Sequence, residues 1–212
     1  MTPYLYPKVR HKRSEDPPLF SHYRLYKKTL QIEFKRKCVY CQQSDSAAPN
    51  EHSFGVDHYK PQSIFPASSL DYNNLFYCCN ACNARKGNYW PAVADLAKRF
   101  IPNPCDYVMF DHLRFKGPEV EPRSEAGIFA TERLDLNDPQ TLQYREHVNF
   151  TIGIYEDRLS EATHLLEKLL AAIAIGKIHQ SEVQQEKAEL ASDIANLKGG
   201  LDRFMGTAPT VA

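Results

Sequence analysis

A chain of 212 residues is long enough for a small catalytic module carrying a helical extension. Its 26 Lys and Arg balance 26 Asp and Glu, which excludes a uniformly basic nucleic-acid binder. No run of about 18 apolar residues exists to span a membrane, and Met1 to Arg13 has the basic residues Lys8, Arg10, Lys12 and Arg13 without the apolar core of an export signal. The expectation is therefore a cytoplasmic protein without membrane association, in which six cysteines stay reduced and serve as metal ligands or free thiols. Charge is polarised along the chain: residues 1–90 hold 13 Lys and Arg against 7 Asp and Glu, and residues 91–212 hold 13 against 19. A basic half can hold a polyanion locally, because screening confines the attraction of phosphate to short range.

In chain order, the two prolines at 17 and 18 delay helix formation until about Leu19, and the spacing of Leu19, Tyr23, Tyr26, Leu30 and Phe34 predicts a helix to about Lys37. Its outer face would carry Arg24, Lys27, Lys28, Lys35 and Arg36. Residues 38–90 are rich in turn formers and leave room for short strands and one short helix. A short helix is expected over 91–105, ending before Pro102. Short strands follow at His112 to Lys116, Glu119 to Glu121 and Gly127 to Leu136, the last from the alternation of Phe129, Thr131 and Arg133, around a turn at Gly117-Pro118. A helix from about Pro139 to Arg158 comes next. Two more are predicted by the stripes Leu159, Ala162, Leu166, Leu169, Ile173 and Leu190, Ile194, Leu197, Leu201, forming a hairpin about Gly176.

The cysteines carry the strongest local signal. Cys38-Val-Tyr-Cys41 and Cys79-Asn-Ala-Cys82 are two Cys-x-x-Cys knuckles, and together they supply a four-thiolate zinc site. A closed site of this kind performs no chemistry; it replaces the core that a loop-rich segment lacks. Cys78 competes with Cys79 as a ligand, but only Cys79 has the two-residue spacing to Cys82, and Cys105 stands alone as a buried thiol.

Between the knuckles lie Val56-Asp57-His58-Tyr59-Lys60-Pro61 and Asp71-Tyr72-Asn73-Asn74-Leu75-Phe76-Tyr77, and the second knuckle continues into Asn83-Ala-Arg85-Lys86-Gly87. This order resembles the HNH endonucleases, the ββα-metal nucleases. Their pattern is Asp-His, Asn-Leu five residues ahead of a Cys-x-x-Cys, His or Asn directly after the last Cys, and Lys three further on. The match covers residues 38–90. Asn83 departs from the His-Asn-His form and is similar to the His-Asn-Asn form of the HNH domain in RNA-guided CRISPR nucleases.

The resemblance implies phosphodiester hydrolysis. His58, the one imidazole of the cluster, would be the general base. Asp57 and Asn83 would hold a catalytic Mg²⁺ or Mn²⁺ through oxygen, as hard cations prefer. Asn74 would orient the His-bearing loop, and Lys60, Arg85 and Lys86 would contact phosphate. Nucleic acid is the implied partner, DNA ahead of RNA. The region from Phe100 through Asn137 and the helical tail with Arg145 is similar to HNH proteins of bacterial anti-phage modules, Septu-like and retron-linked, whose nucleases work beside an ATPase. The acidic C-terminal half would be the docking surface for such a defence-system partner.

The expected fold class is α+β: a zinc-stabilised ββα-metal core with an N-terminal helix, a small β-hairpin and a C-terminal helical extension. The expected segments are a basic arm and helix (1–37), the nuclease core with its zinc site (38–105), a β-hairpin region (106–137) and the helical extension (138–212). The competing function is a zinc-stabilised nucleic-acid-binding or adaptor module without hydrolytic activity, which has no need of Asp57, His58, Asn74 and Asn83 together.

Overall fold

The computed structural model describes residues 2–47, 51–95 and 97–207. Strand β1 (Phe54–His58) pairs antiparallel with β2 (Leu75–Cys79), with Asp57 opposite Phe76 and His58 opposite Leu75. Helix α2 (Asn80–Lys86) follows β2 without a break. Cys79 caps it, its sulfur accepting from the Cys82 amide at 3.4 Å, and Gly87 ends it at φ +54°, a conformation costly for residues with a Cβ. This is the ββα unit. Every β2 side chain is buried, so the strand is central despite having a single partner.

The N-terminal helix is shorter than its periodicity suggests. A 3₁₀ turn at Tyr23–Tyr26 leads into α1 (Lys27–Glu33), and Leu19 lies outside both, 94% exposed. His22 starts the turn late by accepting from the Arg24 amide, and Lys35 and Arg36, both at positive φ, swing the chain toward the first knuckle. Tyr26, Leu30 and Phe34 are the buried part of the stripe. The basic arm ahead of it is anchored rather than trailing. Tyr4 and Tyr6 are buried, and the Arg13 guanidinium lies 4.3 Å from the Tyr72 ring centre while donating to the carbonyls of Tyr72 and Leu75.

Two further expectations are overturned. Within 91–105 the described residues hold only a 3₁₀ turn at Val93–Asp95, because the prolines and an Asn103 side chain that accepts from the amides of Cys105 and Asp106 favour turns over helix. The expected strand over 127–136 is helix α4 (Glu125–Arg133). Ser124 caps it through the Gly127 amide, and Ala126, Ala130 and Leu134 form the buried face at helical spacing. The hairpin is found where expected, β3 (Leu113–Lys116) with β4 (Glu119–Pro122), after one turn of helix, α3 (Met109–His112).

The helices predicted to either side of Arg158 are one helix, α5 (Pro139–Ala174), because no Gly or Pro capable of stopping it lies between them and Gly153 sits exposed to no clash. It turns at Gly176 and packs antiparallel on α6 (Gln184–Met205), the hairpin the two stripes imply. One hydrophobic core runs from Tyr6 to Leu136 and so joins the arm, the ββα unit and the β-hairpin region. A smaller core of Tyr4, Val148, Ile152 and Leu201 seats the helical hairpin. Arg145, 1% exposed, fastens the two together by donating to the carbonyls of Pro118 and Leu136 with its guanidinium against Phe115.

Candidate active site and zinc centre

The knuckles meet. The sulfurs of Cys38, Cys41, Cys79 and Cys82 all lie within 4.8 Å of one another, and all four residues are buried. The Cys41 and Cys79 sulfurs are 3.7 Å apart. That is far beyond a disulfide bond and close to the edge of about 3.8 Å expected of a tetrahedron with bonds of about 2.3 Å to zinc. Hydrogen bonds from the other three thiols hold the Cys79 thiol far below its ordinary range, whereas Cys38 is pushed up chiefly by burial and Cys82 chiefly by its hydrogen bonds with the other three sulfurs. Four sulfurs so placed fit a metal such as zinc, which takes the place of their protons. Cys78 is excluded from the quartet by strand alternation, since it points to the opposite face of β2 from Cys79. Cys105 is only partly buried, and burial lifts its thiol to about 11.

A cleft of about 360 Å³ opens between the end of β1 and one face of α2. Asp57 and His58 come from the strand. Asn80, Asn83 and Ala84 come from the helix and Gly87 from its C-cap, and their offsets of three, four and seven residues from Asn80 put them on one face. The Nε2 of His58 is 3.0 Å from the Ser69 carbonyl oxygen. A carbonyl only accepts, so Nε2 carries the hydrogen and a neutral His58 presents the lone pair of Nδ1. The Tyr23 ring stands edge-on against the imidazole at 4.7 Å.

Asn74 is 4% exposed and does the work of a clasp. Its Nδ2 donates to the carbonyls of Lys60 and Ser68, and its Oδ1 accepts from the Lys60 amide at 2.7 Å. Both limbs of the loop from Tyr59 to Asn73 are thereby tied, including the stretch that supplies the Ser69 carbonyl.

Asp57 is 2% exposed. Its Oδ2 accepts from the Tyr40 hydroxyl at 2.6 Å and its Oδ1 from the Lys86 ammonium at 2.9 Å. Asn83, across the cleft on α2, has no side-chain partner among the described residues and is partly exposed. A carboxylate and a free carboxamide facing one cleft are oxygen donors that fit a hard divalent cation.

Of the three basic residues expected at phosphate, Lys60 is exposed but lines a neighbouring cavity with His11, Arg13 and Asn73, not the cleft of His58. Lys86 is not available: it is 1% exposed, with its Nζ also 2.7 Å from the His58 carbonyl oxygen. Arg85 is turned the other way and holds the carbonyls of Leu134 and Asp135 and the carboxylate of Asp138. Sequence reasoning missed Tyr40, Tyr23 and the Ser69 carbonyl. Tyr40 could have been suspected from its place inside the first knuckle; a main-chain carbonyl leaves no trace in the residue pattern.

The model of the HNH endonuclease family matches residues 38–89. Those residues are an HNH endonuclease domain. Among curated proteins, the Septu protein PtuB of Bacillus thuringiensis is 23% identical over 100 residues, covering 47% of this chain and 38% of PtuB. The chain thus spans well under half the length of that relative. No solved structure gives a significant match. The HNH domain sits within a larger fold, since the helices of 139–205 lie wholly outside it. No helix among the described residues is long and apolar enough to cross a membrane.

Proposed function

We propose that the protein is a divalent-metal-dependent endonuclease that hydrolyses phosphodiester bonds, with DNA as the favoured substrate, and that it acts as an effector of anti-phage defence. The observation that carries the chemistry is the convergence of His58, Asp57 and Asn83 on one cleft, with the His58 tautomer fixed by Ser69. Nδ1 of His58 takes the proton of an attacking water. Asn74 keeps the ring in place through the loop it clasps, and Asp57 and Asn83 would hold Mg²⁺ or Mn²⁺. When bound, that ion would neutralise charge on the phosphate and the leaving oxygen. Zinc at the four cysteines would tie the first knuckle to the junction of β2 and α2 and take no part in the reaction. The exposed basic side chains Arg24 and Lys60, next in sequence to the cleft residues Tyr23 and Pro61, would attract the polyanion.

The defence role and an ATPase or other partner for the C-terminal helices are drawn from the likeness to the Septu protein. In the decisive experiment, Mg²⁺-dependent nicking of plasmid is compared between the parent and His58→Ala, with zinc content and melting temperature measured alongside. Loss of nicking with both controls unchanged is the expected result. Equal cutting would refute the role of His58, and salt-sensitive DNA binding without cutting under any divalent ion would favour the non-catalytic binding module.

A further inference from the structure

Beneath the cleft lies a buried positive charge that hydrolysis by His58 does not require. Lys86 lies one helical turn beyond Asn83 on α2, and its side chain runs back under the helix to end between Asp57 Oδ1 at 2.9 Å and the His58 carbonyl at 2.7 Å. Both partners of this ion pair are almost wholly buried. A buried Lys–Asp pair contributes little net stability compared with apolar side chains of the same volume, because desolvation offsets the attraction. Burial of this pair therefore calls for another explanation, and its position supplies one.

The affinity of an oxygen site for a divalent cation rises with the number of negative ligands it offers. Here the one carboxylate is already neutralised, on the same oxygen that faces the ammonium, while Oδ2 is taken by Tyr40. A divalent ion on Asp57 would stand within a few ångströms of Nζ, and in a buried setting that repulsion is weakly screened. We propose that Lys86 is a resident counter-ion: its ammonium occupies the cation position beside Asp57 and competes with the divalent metal, so that the metal site rests in a low-affinity state and loads only as Lys86 is displaced. The inference rests on the reading that Asp57 and Asn83 are the metal-holding pair.

The test is Mn²⁺ binding to the zinc-loaded full chain, read from the electron paramagnetic resonance signal of free Mn²⁺ at mildly alkaline pH, with no substrate present. Lys86→Met should bind Mn²⁺ roughly tenfold more tightly than the parent, a factor of the size usual for coupling between two interacting groups. Lys86→Arg, which restores the charge, should bind as weakly as the parent. Asp57→Asn should lose the site in every background. If Asp57→Asn loses Mn²⁺ but Lys86→Met binds no more tightly than the parent, the counter-ion is refuted and the metal site stands. If Asp57→Asn and Asn83→Ala both bind like the parent, the metal site is misplaced and the counter-ion falls with it. Should Lys86→Met fail to fold, ¹⁵N-lysine spectra of the parent decide the matter. The Lys86 ammonium should be protected from exchange and should lose that protection as Mg²⁺ shifts the amides of Asp57 and His58. A signal that stays protected through that titration overturns the proposal.

Discussion

The Nε2 of His58 lies 3.0 Å from the carbonyl oxygen of Ser69, eleven residues further along the chain. A base whose second nitrogen is held by the main chain keeps its tautomer without help from a carboxylate. His58→Ala removes the base and opens a space in the cleft. Added imidazole should enter it and restore part of the Mg²⁺-dependent nicking. Recovery in His58→Ala and none in a double variant with Asp57→Asn is the expected pattern. Nicking by His58→Ala that equals the parent's without imidazole would remove the residue from the mechanism.

Asn74→Ala leaves the Lys60 amide and the carbonyls of Lys60 and Ser68 without their partner. At about 1–3 kcal/mol for each buried group left unsatisfied, with partial relief from water, the loss should be roughly 2–4 kcal/mol. Urea unfolding should show it as a lower midpoint at constant slope. Nicking should fall with zinc content unchanged, since the damage is confined to the loop that carries Ser69. A variant as stable as the parent would mean that the clasp does not close in solution.

Removing the thiolate centre should be far more damaging. One zinc per chain is expected by elemental analysis, and Cys79→Ser should lose it together with the cooperative melt, because ligation of this kind supplies on the order of 10 kcal/mol. Cobalt substitution should give the intense absorption of a tetrahedral thiolate site. A Cys78→Ser variant that loses zinc while Cys79→Ser keeps it would reverse the ligand assignment.

Gly127 tests helix α4. Exchange of a helical glycine for alanine ordinarily adds stability, about 0.5–1 kcal/mol. Here a Cβ would fall 2.0 Å from the His112 carbonyl oxygen, main chain that cannot rotate aside. Gly127→Ala should therefore destabilise by at least about 2 kcal/mol, at the upper end for overpacked sites. A gain in stability would show that α4 stands off from α3.

Glu33 predicts an acid limb. Its burial alone would push the carboxyl up, but hydrogen bonds from His11 and from Tyr72 at 2.6 Å, with the charge of Arg13, outweigh it and hold the carboxyl below its ordinary value. A depressed folded-state value stabilises above the unfolded pKa of about 4.3, and that contribution is lost as pH falls through the lower, folded value. Glu33→Gln should be less stable than the parent at neutral pH and should lose less between mildly acidic and strongly acidic conditions. Parallel stability curves for the two proteins would show that Glu33 is not coupled to folding.

The ββα unit was legible because its chemistry is spaced: two knuckles, an Asp-His pair and an Asn at fixed offsets specify a geometry more tightly than any hydrophobic pattern. Helix α4 was not, because its buried face is built from Ala126, Gly127 and Ala130. Small side chains give almost no apolar signal, which left the alternation of Phe129, Thr131 and Arg133 to suggest a strand. The unity of α5 was hidden because the stripe starting at Leu159 reads as a new helix, although Tyr155 and Leu159 pack on the same small core as Val148 and Ile152. Lys86 shows a different limit. Its position on the motif is correct, but whether an ammonium points to solvent or back under its own helix depends on the cavity around Asp57, which no local pattern encodes.

The α5–α6 hairpin is a long arm with a single root. At that root, Tyr144 on α5 donates to the Ala47 carbonyl, and the Ser44 hydroxyl donates to the Arg203 carbonyl on α6. Both attachments fall on the few residues that leave Cys41. With a rise of about 1.5 Å per residue, the far bend lies about 54 Å along α5 from its start. Whatever grips that bend gains mechanical advantage over the first metal knuckle, so a handle far from the cutting cleft can tug on the frame that aligns it.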